Sequence, residues 1–361
     1  MKSESAETLA RAYYYIKPFL PRRVQLVIRE VVARLKRAKY RSTWPIDPAA
    51  GNPPPGFKGW PEGKRFAVVL THDVDTARGV ERCEQLMELE RELGFRSCFN
   101  FVAEEYHLPA DLRHKLVEGG FEVGVHGLEH NRNLYESAET FARHAHKING
   151  YLKEWGAVGF RSPCVYHNYE WLHALDICYE ASSFDSDPFE PQPDPLGTIF
   201  PVHQTAVSGR EYVELPYTLP QDFTLFVIFR EKDTSIWKEK LRWIAEHGGM
   251  ALLITHPDYM SFGGSPNFEE YHPDLYRDLL THLESEYHGE YWHALPREMA
   301  CFWTGSVGEH QCPVSERNGG KCQVEITAAA KDCRCKIANN EVRSPEESFD
   351  VTEIDGGRIT L

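Results

Sequence analysis

Two carboxylates that stand two residues apart are the first indication of chemistry in this sequence. Asp73 and Asp75 belong to the stretch RFAVVLTHDVDT at residues 65–76. Residues 66–70 form a short apolar run of the kind that makes a strand buried on both faces. In parallel α/β folds, ligands and catalytic residues lie at the carboxyl ends of such strands. Two carboxylates this close are costly unless a cation or a proton is shared between them, so the stretch is either a site or a solvated turn.

Two histidines supply the partners that a cation would need. His126 directly follows a predicted strand at residues 121–125, and His130 comes four residues later in HGLEH. Two neutral imidazoles and the carboxylate of Asp75 can bind zinc or a similar divalent ion and leave positions open for water and substrate. The spacing alone is weak in a chain with 17 His, and it gains weight from its place after a strand.

Further polar residues follow other predicted strands. Arg161 comes directly after Gly159 and Phe160, and His256 comes directly after the apolar run at residues 250–255. In a closed barrel the carboxyl ends of the strands converge on one face. We therefore expect these side chains to meet those of Asp73, Asp75, His126 and His130.

The elements that would position these residues alternate between strand and helix. Strands are predicted at residues 66–70, 97–102, 121–125, 181–184, 212–215, 225–229 and 250–255. Helices are predicted at residues 80–93, 112–118, 137–155, 171–175, 236–247 and 274–287. This alternation indicates βαβ units and a parallel sheet or barrel.

The two ends of the chain differ from this middle part. Residues 1–62 are predicted to be an N-terminal arm, with a basic amphipathic helix at residues 22–41 and a proline-rich connector at residues 44–61. Such a helix can lie on an anionic membrane, bind a partner or pack on the acidic body of the protein. Residues 63–300 form the predicted catalytic barrel. Residues 301–361 are predicted to be a cysteine-containing extension, β-rich or partly disordered, with a weakly indicated zinc site.

Composition narrows the class of protein. The chain has 361 residues, 42% of them hydrophobic, and a net charge of −14. Residues 1–60 carry 12 Lys and Arg against 4 Asp and Glu, and the remainder carries 28 against 50. An acidic body argues against nucleic acid as a partner. We expect no transmembrane helix, and we expect reduced thiols and a cytoplasmic location because the nine cysteines are accompanied by no secretory signal.

Four motifs together resemble a known family. THDVD at residues 71–75, HGLEH at 126–130, FRSP at 160–163 and LLITH at 252–256 are similar, in order and approximate spacing, to those of the polysaccharide deacetylases (NodB homology, carbohydrate esterase family 4). The resemblance covers residues 63–300. Residues 213–226 and 255–259 look closest to the subgroup found in exopolysaccharide and O-antigen biosynthesis.

The resemblance implies a distorted (β/α) barrel and a metal-dependent N-deacetylase acting on a glycan or glycan precursor. It implies Asp73 as catalytic base, Arg161 as the residue that orients this base, and His256 as general acid. The implied metal ligands are Asp75, His126 and His130, with zinc as the first choice and cobalt, nickel, iron or manganese as alternatives. The family's usual adjacent aspartates are separated here by Val74, and Thr76 replaces a glycine, so the roles of the two aspartates are open to exchange.

Other residues around these motifs are expected on the substrate side. The predicted set is His72, Pro163, Tyr166, Asp187, Tyr217 and Tyr259. The family's usual aspartate before Ser182 is replaced by Ala181, so the partner of His256 is predicted to be Asp185 or Asp187.

Three other functions compete with the deacetylase hypothesis. The same apparatus can hydrolyse a small cyclic amide or imide, as in allantoinase-like relatives. A metal-free, glycan-binding scaffold would retain only the fold, which the full set of polar residues argues against. A glycoside hydrolase needs two carboxylates about 5 Å or more apart with a sugar between them, and it leaves the histidines unexplained.

Overall fold

The structure is a computed structural model that describes residues 21–192 and 194–307. Within these residues one sheet contains β1 (Phe66–Val74), β2 (Cys98–Phe101), β3 (Glu122–Val125), β4 (Gly159–Phe160), β5 (Tyr179–Glu180), β6 (Val202–Thr205), β7 (Glu211–Glu214), β8 (Met250–Thr255) and β9 (Tyr291–His293). The α-helices are α1 (Arg22–Lys39), α2 (Ala77–Glu92), α3 (Ala110–Glu118), α4 (Ala138–Trp155), α5 (Tyr169–Leu172), α6 (Ser235–His247), α7 (Asp274–Tyr287) and α8 (Pro296–Val307).

The sheet is almost entirely parallel and curls on itself. Its strand order is β6-β7-β5-β4-β3-β2-β1-β8, with β9 paired to β1, and β6 and β7 form its antiparallel pair. The segment after β7 reaches β8, where Thr218 N donates to Leu252 O and Leu252 N donates to Thr218 Oγ1, both at 3.0 Å. The result is a distorted barrel with helices between the strands, which confirms the predicted α/β fold.

Strand β1 is the centre of the barrel. All nine of its residues are buried, and it pairs with β8 on one side and with β9 and then β2 on the other. The predicted strand at residues 66–70 is therefore too short. Thr71 and His72 continue the ladder because their side chains find partners: Thr71 Oγ1 donates to Leu253 O at 2.7 Å, and His72 lies 2.7 Å from Thr255 Oγ1.

The helices begin and end where local sequence dictates. Ser137 caps α4 by accepting a hydrogen bond from Thr140 N, and Gly156 ends it in the left-handed region at φ 65°. Gly248 ends α6 in the same way at φ 68°. The predicted helix at residues 171–175 starts two residues earlier, at Tyr169, because the Asn168 side chain caps it.

Two predicted strands are wrong. Residues 225–228 belong to a π-helix, Phe223–Ile228, which Asp222 caps at its start and Phe229 at its end. A short buried apolar run does not distinguish a strand from a helical segment by periodicity. Residues 181–184 follow β5 instead of forming a strand, because the backbone N–H groups of Ser182 and Ser183 donate to buried carboxylates.

The basic helix α1 packs on the acidic body. Arg22 pairs with Glu269 and Arg37 with Glu231, each at 2.5 Å. Lys36 Nζ donates to Pro188 O at 3.1 Å. The expectation that this helix packs on the acidic body is therefore correct for one of its faces.

Near the carboxyl end, α8 runs through the predicted boundary at residue 300, so residues 301–307 are helical and not β-rich. The rest of the predicted extension, including the short β-like runs that the sequence suggests at residues 323–327 and 358–361, lies outside the described residues. Cys83, Cys98, Cys164 and Cys301 form no disulfide, whereas Cys178 is disulfide-bonded, which departs from the expectation of reduced thiols. None of the helices in the described part combines the length and apolarity needed to span a membrane.

The close approach of α2 to the turn after β8 gives a stability prediction. A Cβ at Gly79 would lie 2.3 Å from Asp258 Oδ2, a buried atom that accepts from Asp75 N at 3.0 Å. We expect Gly79→Ala to destabilise the protein by about 1–3 kcal/mol, because the extra methyl must displace this carboxylate.

The matched control is Gly150→Ala in α4, where a Cβ would meet no atom within 4 Å. Its helix propensity should stabilise the protein by about 0.5–1 kcal/mol. Denaturant unfolding measures both variants. Equal effects of the two substitutions would contradict the packing described here.

Candidate metal and catalytic site

Strand alternation places the two aspartates on one face. Asp73 lies within β1 and Asp75 just after it, so their side chains point to the same side, while Val74 between them is fully buried on the other. No sharp turn is needed for the two carboxylates to approach one centre. The separation by Val74 is therefore compatible with a shared site.

Asp73 is fixed by two donors. Arg161 Nη1 and Asn100 Nδ2 each donate to its Oδ1 at 3.0 Å. Arg161 is itself held, since its Nε donates to Ala181 O at 2.6 Å and its Nη1 to Thr71 Oγ1 at 2.8 Å. Burial raises the pKa of Asp73, but the positive charges of Arg161, His126 and His256 together outweigh it, so this pKa lies below its usual value. Asp73 is thus an ionised, oriented carboxylate.

Asp75, His126 and His130 form a group with the geometry of a metal site. One ligand atom from each lies within 4.8 Å of the others. The Nε2 atoms of His126 and His130 are 3.5 and 3.3 Å from Asp75 Oδ1. This Oδ1 is buried and accepts no hydrogen bond from the described residues. A buried carboxylate oxygen without a donor needs a cation, so the donor set fits a divalent metal.

The orientation of His126 follows from its other ring nitrogen. Nδ1 lies 2.9 Å from Arg161 O, and because a carbonyl only accepts, Nδ1 carries the proton and Nε2 offers a lone pair. Gly127 then turns the chain at φ 76°, and a Cβ there would lie 2.8 Å from Pro163. Glycine at this position lets HGLEH and the segment after β4 come together.

The charges of Asp75, His126 and His130 shift one another's pKa values. Burial raises the pKa of Asp75, but the imidazoles of His130 and His126 hold it well below its usual value. Burial lowers the pKa of His130. It acts in the same direction on His126, where the carboxylates of Asp73 and Asp75 nevertheless raise the pKa above its usual value. The carboxylates thus stabilise a positive charge between them, as a bound cation would require.

His256 has a partner that the sequence analysis did not find. Its Nδ1 lies 2.7 Å from Asp222 Oδ1, and its backbone N–H donates to Asp222 Oδ2 at 2.8 Å. Tyr271 OH donates to the same Oδ2 at 2.8 Å. Burial would lower the pKa of His256, but the negative charges of Asp222, Asp75 and Asp73 together raise it to about 10, with Asp222 contributing most.

The predicted partners of His256 are therefore wrong. Asp185 pairs with Lys240 at 2.7 Å, a buried pair that commits its charge elsewhere. Asp187 accepts from Phe189 N through Oδ1 at 2.8 Å, while its buried Oδ2 accepts from none of the described residues. Asp222, in PQDFTLF, begins the π-helix that sequence analysis took for a strand, so its direction could not be inferred.

Of the predicted substrate-side residues, two are buried away from the site and one lies beside it. His72 is fully buried on the opposite face of β1, between Thr255 and Glu90, so its prediction as a substrate contact is wrong. Tyr217 is 1% exposed, and its hydroxyl donates to Glu190 at 2.7 Å, which makes it a core residue. Tyr259 lies beside the site, with its ring centroid 5.2 Å from that of His256.

The remaining predicted contacts flank the metal group. Pro163 is buried against Gly127, and Tyr166 is half-buried three residues further on. Asn100 and Asp258 are two supporting residues that sequence analysis missed. Asn100 is a polar residue inside the apolar strand SCFNFV, and this contrast indicates a role for its side chain. Asp258 lies in THPDY, residues 255–259.

The curled parallel sheet is shared with solved structures that are described as polysaccharide deacetylases. A protein from Mycobacterium smegmatis described as a polysaccharide deacetylase has a TM-score of 0.50 at 20% identity, over 69% of this chain and 93% of that one. One from Pseudomonas aeruginosa PAO1, similarly described, has a TM-score of 0.53 at 14% identity, over 72% and 97%. An allantoinase has a TM-score of 0.55 at 13% identity, over 74% and 99%.

These similarities establish a shared fold. No protein-family model matches the sequence, and no curated protein matches it. The chain thus has the polysaccharide deacetylase fold, and its function must be argued from the site.

The metal group leads to a direct binding prediction. We expect His126→Ala to lower the affinity for Zn²⁺ or Co²⁺ by at least about tenfold, because one of three protein ligands is lost. The matched control is His146→Ala, an exposed position on α4. Isothermal titration and metal analysis after dialysis measure both. If His126→Ala kept the same metal content as His146→Ala, the assignment of His126 as a metal ligand would be wrong.

Proposed function

We propose that this chain is a metal-dependent hydrolase that removes the N-acetyl group from an amino sugar in a polysaccharide or glycan precursor. The observation that carries the proposal is the donor set of Asp75, His126 and His130 beside the Arg161-bound Asp73. Together with His256, these residues supply a ligand group, a base and an acid in one buried place. Amide hydrolysis needs all three.

The metal would be held by Asp75, His126 and His130. Zinc suits two imidazoles and one carboxylate, and cobalt, nickel, iron and manganese accept the same donors. Bound there, the ion would act as a Lewis acid toward water and the amide carbonyl.

Asp73 is the proposed general base. Both of its hydrogen-bond donors bind Oδ1, while Oδ2 faces the metal group, 3.9 Å from His126 Nε2. Oδ2 would take a proton from the water as the water oxygen forms its bond to the amide carbon. Arg161 holds the carboxylate ionised and aimed.

His256 is the proposed general acid. With Nδ1 bound to Asp222, its Nε2 is left to give a proton to the nitrogen as the carbon–nitrogen bond breaks. The leaving amine then departs neutral. The raised pKa of His256 keeps this proton in place at neutral pH.

The substrate class within this proposal rests on sequence. Residues 213–226 and 255–259 favour the exopolysaccharide and O-antigen subgroup, and we propose action before export, in the cytoplasm, on a glycan precursor. Tyr166, Asp187, Tyr259 and Pro163 remain the proposed substrate contacts.

A second candidate is hydrolysis of a small cyclic amide or imide. The similarity to an allantoinase, at a TM-score of 0.55, supports it, and the same base and acid would serve. Hydrolysis of allantoin without acetate release from N-acetylated glycans would favour this candidate. A metal-free scaffold is disfavoured, because it would leave the buried Asp75 Oδ1 without a hydrogen-bond donor among the described residues.

The division of labour between the two aspartates is tested by Asp73→Asn. We expect acetate release from N-acetylated glycans to fall by about 10²–10⁴-fold, because the base is lost, while metal content stays that of the wild type. The matched variant Asp75→Asn should lose both metal and activity. Loss of metal in Asp73→Asn with metal retained in Asp75→Asn would show that the roles are exchanged.

The acid is tested by Asp222→Asn. Removing this charge lowers the pKa of His256, so the protonated imidazole is lost at lower pH, and the alkaline limb of the kcat/KM profile should move to lower pH. Tyr271→Phe keeps the carboxylate and should shift this limb much less. An unchanged alkaline limb in Asp222→Asn would count against His256 as the acid.

A further inference from the structure

Helix α1 carries most of the exposed large hydrophobic side chains in the described residues. Five of the seven lie on it, with exposed fractions of 41–69%: Val24, Val27, Val31, Val32 and Leu35. We call these five residues the apolar stripe. Exposed apolar side chains gathered on one helix mark a surface that meets another apolar phase or partner.

The spacing of the stripe is helical. Val24, Val27, Val31 and Leu35 recur every three or four residues, which places them along one side of α1. The opposite side is already used, since Leu26 is 2% and Ala33 8% exposed. The helix therefore has one apolar side packed on the protein and a second one facing outward.

The charges of α1 indicate what the outward side meets. The helix has seven Lys and Arg and one Glu within RRVQLVIREVVARLKRAK. Five of the basic residues contact the body. Arg22, Lys36 and Arg37 do so through polar contacts, and Arg23 and Arg29 lie over the rings of Phe268 and Phe223. Others border the stripe at helical neighbour spacing.

The bordering residues are Arg34 and Lys39, each three or four positions from a stripe valine or leucine, and both are exposed. An exposed apolar strip between basic side chains is complementary to an anionic lipid surface, where the apolar groups enter the headgroup boundary and the cations meet phosphates. A second copy of this acidic chain would supply no such apolar layer from its other described surfaces, where only Val117 and Val207 are exposed large hydrophobics.

The inward side of α1 lies beside the candidate site. The Arg29 guanidinium is 4.8 Å from the centroid of the Phe223 ring. This ring is 4.9 Å from that of Tyr259, which stands next to His256. We call Phe223 and Tyr259 the rim of the site. A surface that binds the stripe would lie across α1 from this rim, one helix diameter or about 10 Å away.

We propose that α1 binds an anionic membrane surface through the apolar stripe and its bordering basic residues, which places the rim of the site near lipid headgroups. The docking itself does not depend on the reaction that the site performs. A substrate attached to a membrane lipid would be within reach in this arrangement.

The full chain is tested by flotation with vesicles of phosphatidylcholine, with and without phosphatidylglycerol. We expect binding to the vesicles that contain phosphatidylglycerol, weakened by salt, and little binding to phosphatidylcholine alone. The double variant Val31→Asp/Leu35→Asp should lose affinity by at least about tenfold, since two apolar side chains no longer enter the boundary. Both positions are exposed, so the fold and activity on a water-soluble substrate should be unchanged.

The matched control is Val117→Asp/Val207→Asp, which changes two exposed valines outside α1 and should leave vesicle binding intact. The charge contribution is tested by Arg34→Glu/Lys39→Glu, which should lower binding to phosphatidylglycerol vesicles. Absence of vesicle binding by the full chain, or equal binding by the stripe variant, overturns the proposal. So does conversion of a dimer to a monomer by the stripe variant in light scattering, because the stripe would then be an interface between two copies.

Discussion

The burial of two carboxylates on one face of a central strand is the constraint on which the site depends. Asp73 and Asp75 are 3% and 6% exposed, and ionised groups at this depth are unfavourable without opposite charge. Arg161 compensates Asp73. Among the described residues, Asp75 Oδ1 has the imidazoles of His126 and His130 beside it. A cation bound between this oxygen and the two imidazoles would balance the charge of the carboxylate.

The barrel converts this constraint into a site by bringing strand ends together. Asp73 and Asp75 come from β1, His126 and His130 follow β3, and Arg161 follows β4. Each is held by a second contact, such as that of His126 to a backbone carbonyl. The turn after β8 adds His256, whose orientation comes from Asp222 at the start of the π-helix, so the acid and the base are fixed by different parts of the chain.

Much of this arrangement could be predicted from the sequence, for identifiable reasons. A β-α alternation with polar residues after apolar runs predicts a parallel barrel and its active edge, and His126, His130 and Arg161 were found in this way. That Asp73 and Asp75 point to the same side could not be predicted, because it follows from β1 extending to Val74. The polar residues THD at 71–73 made the strand look as if it ended at residue 70. Asp222 could not be assigned, because a buried apolar run fits a strand as well as a π-helix and only the helix turns this carboxylate to His256.

Helix α1 shows a similar limit. Its amphipathic pattern is evident in the sequence, but the sequence does not distinguish a helix packed on the body from one that binds outward. In the structure one side of α1 packs on the body, where Leu26 is buried. The opposite side exposes apolar side chains, and Leu35 there is 69% exposed. The inward side lies next to Phe223 and thereby next to the residues around His256.

The central claim is that Asp75, His126 and His130 bind the metal while Asp73 stays free as the base. The most direct measurement is anomalous diffraction from crystals of the Co²⁺-loaded protein. The account predicts one anomalous peak at bonding distance from Asp75 and from both imidazole Nε2 atoms, with Asp73 still bound to Arg161 and outside bonding distance. A peak ligated by Asp73, or one located away from these three residues, would contradict it.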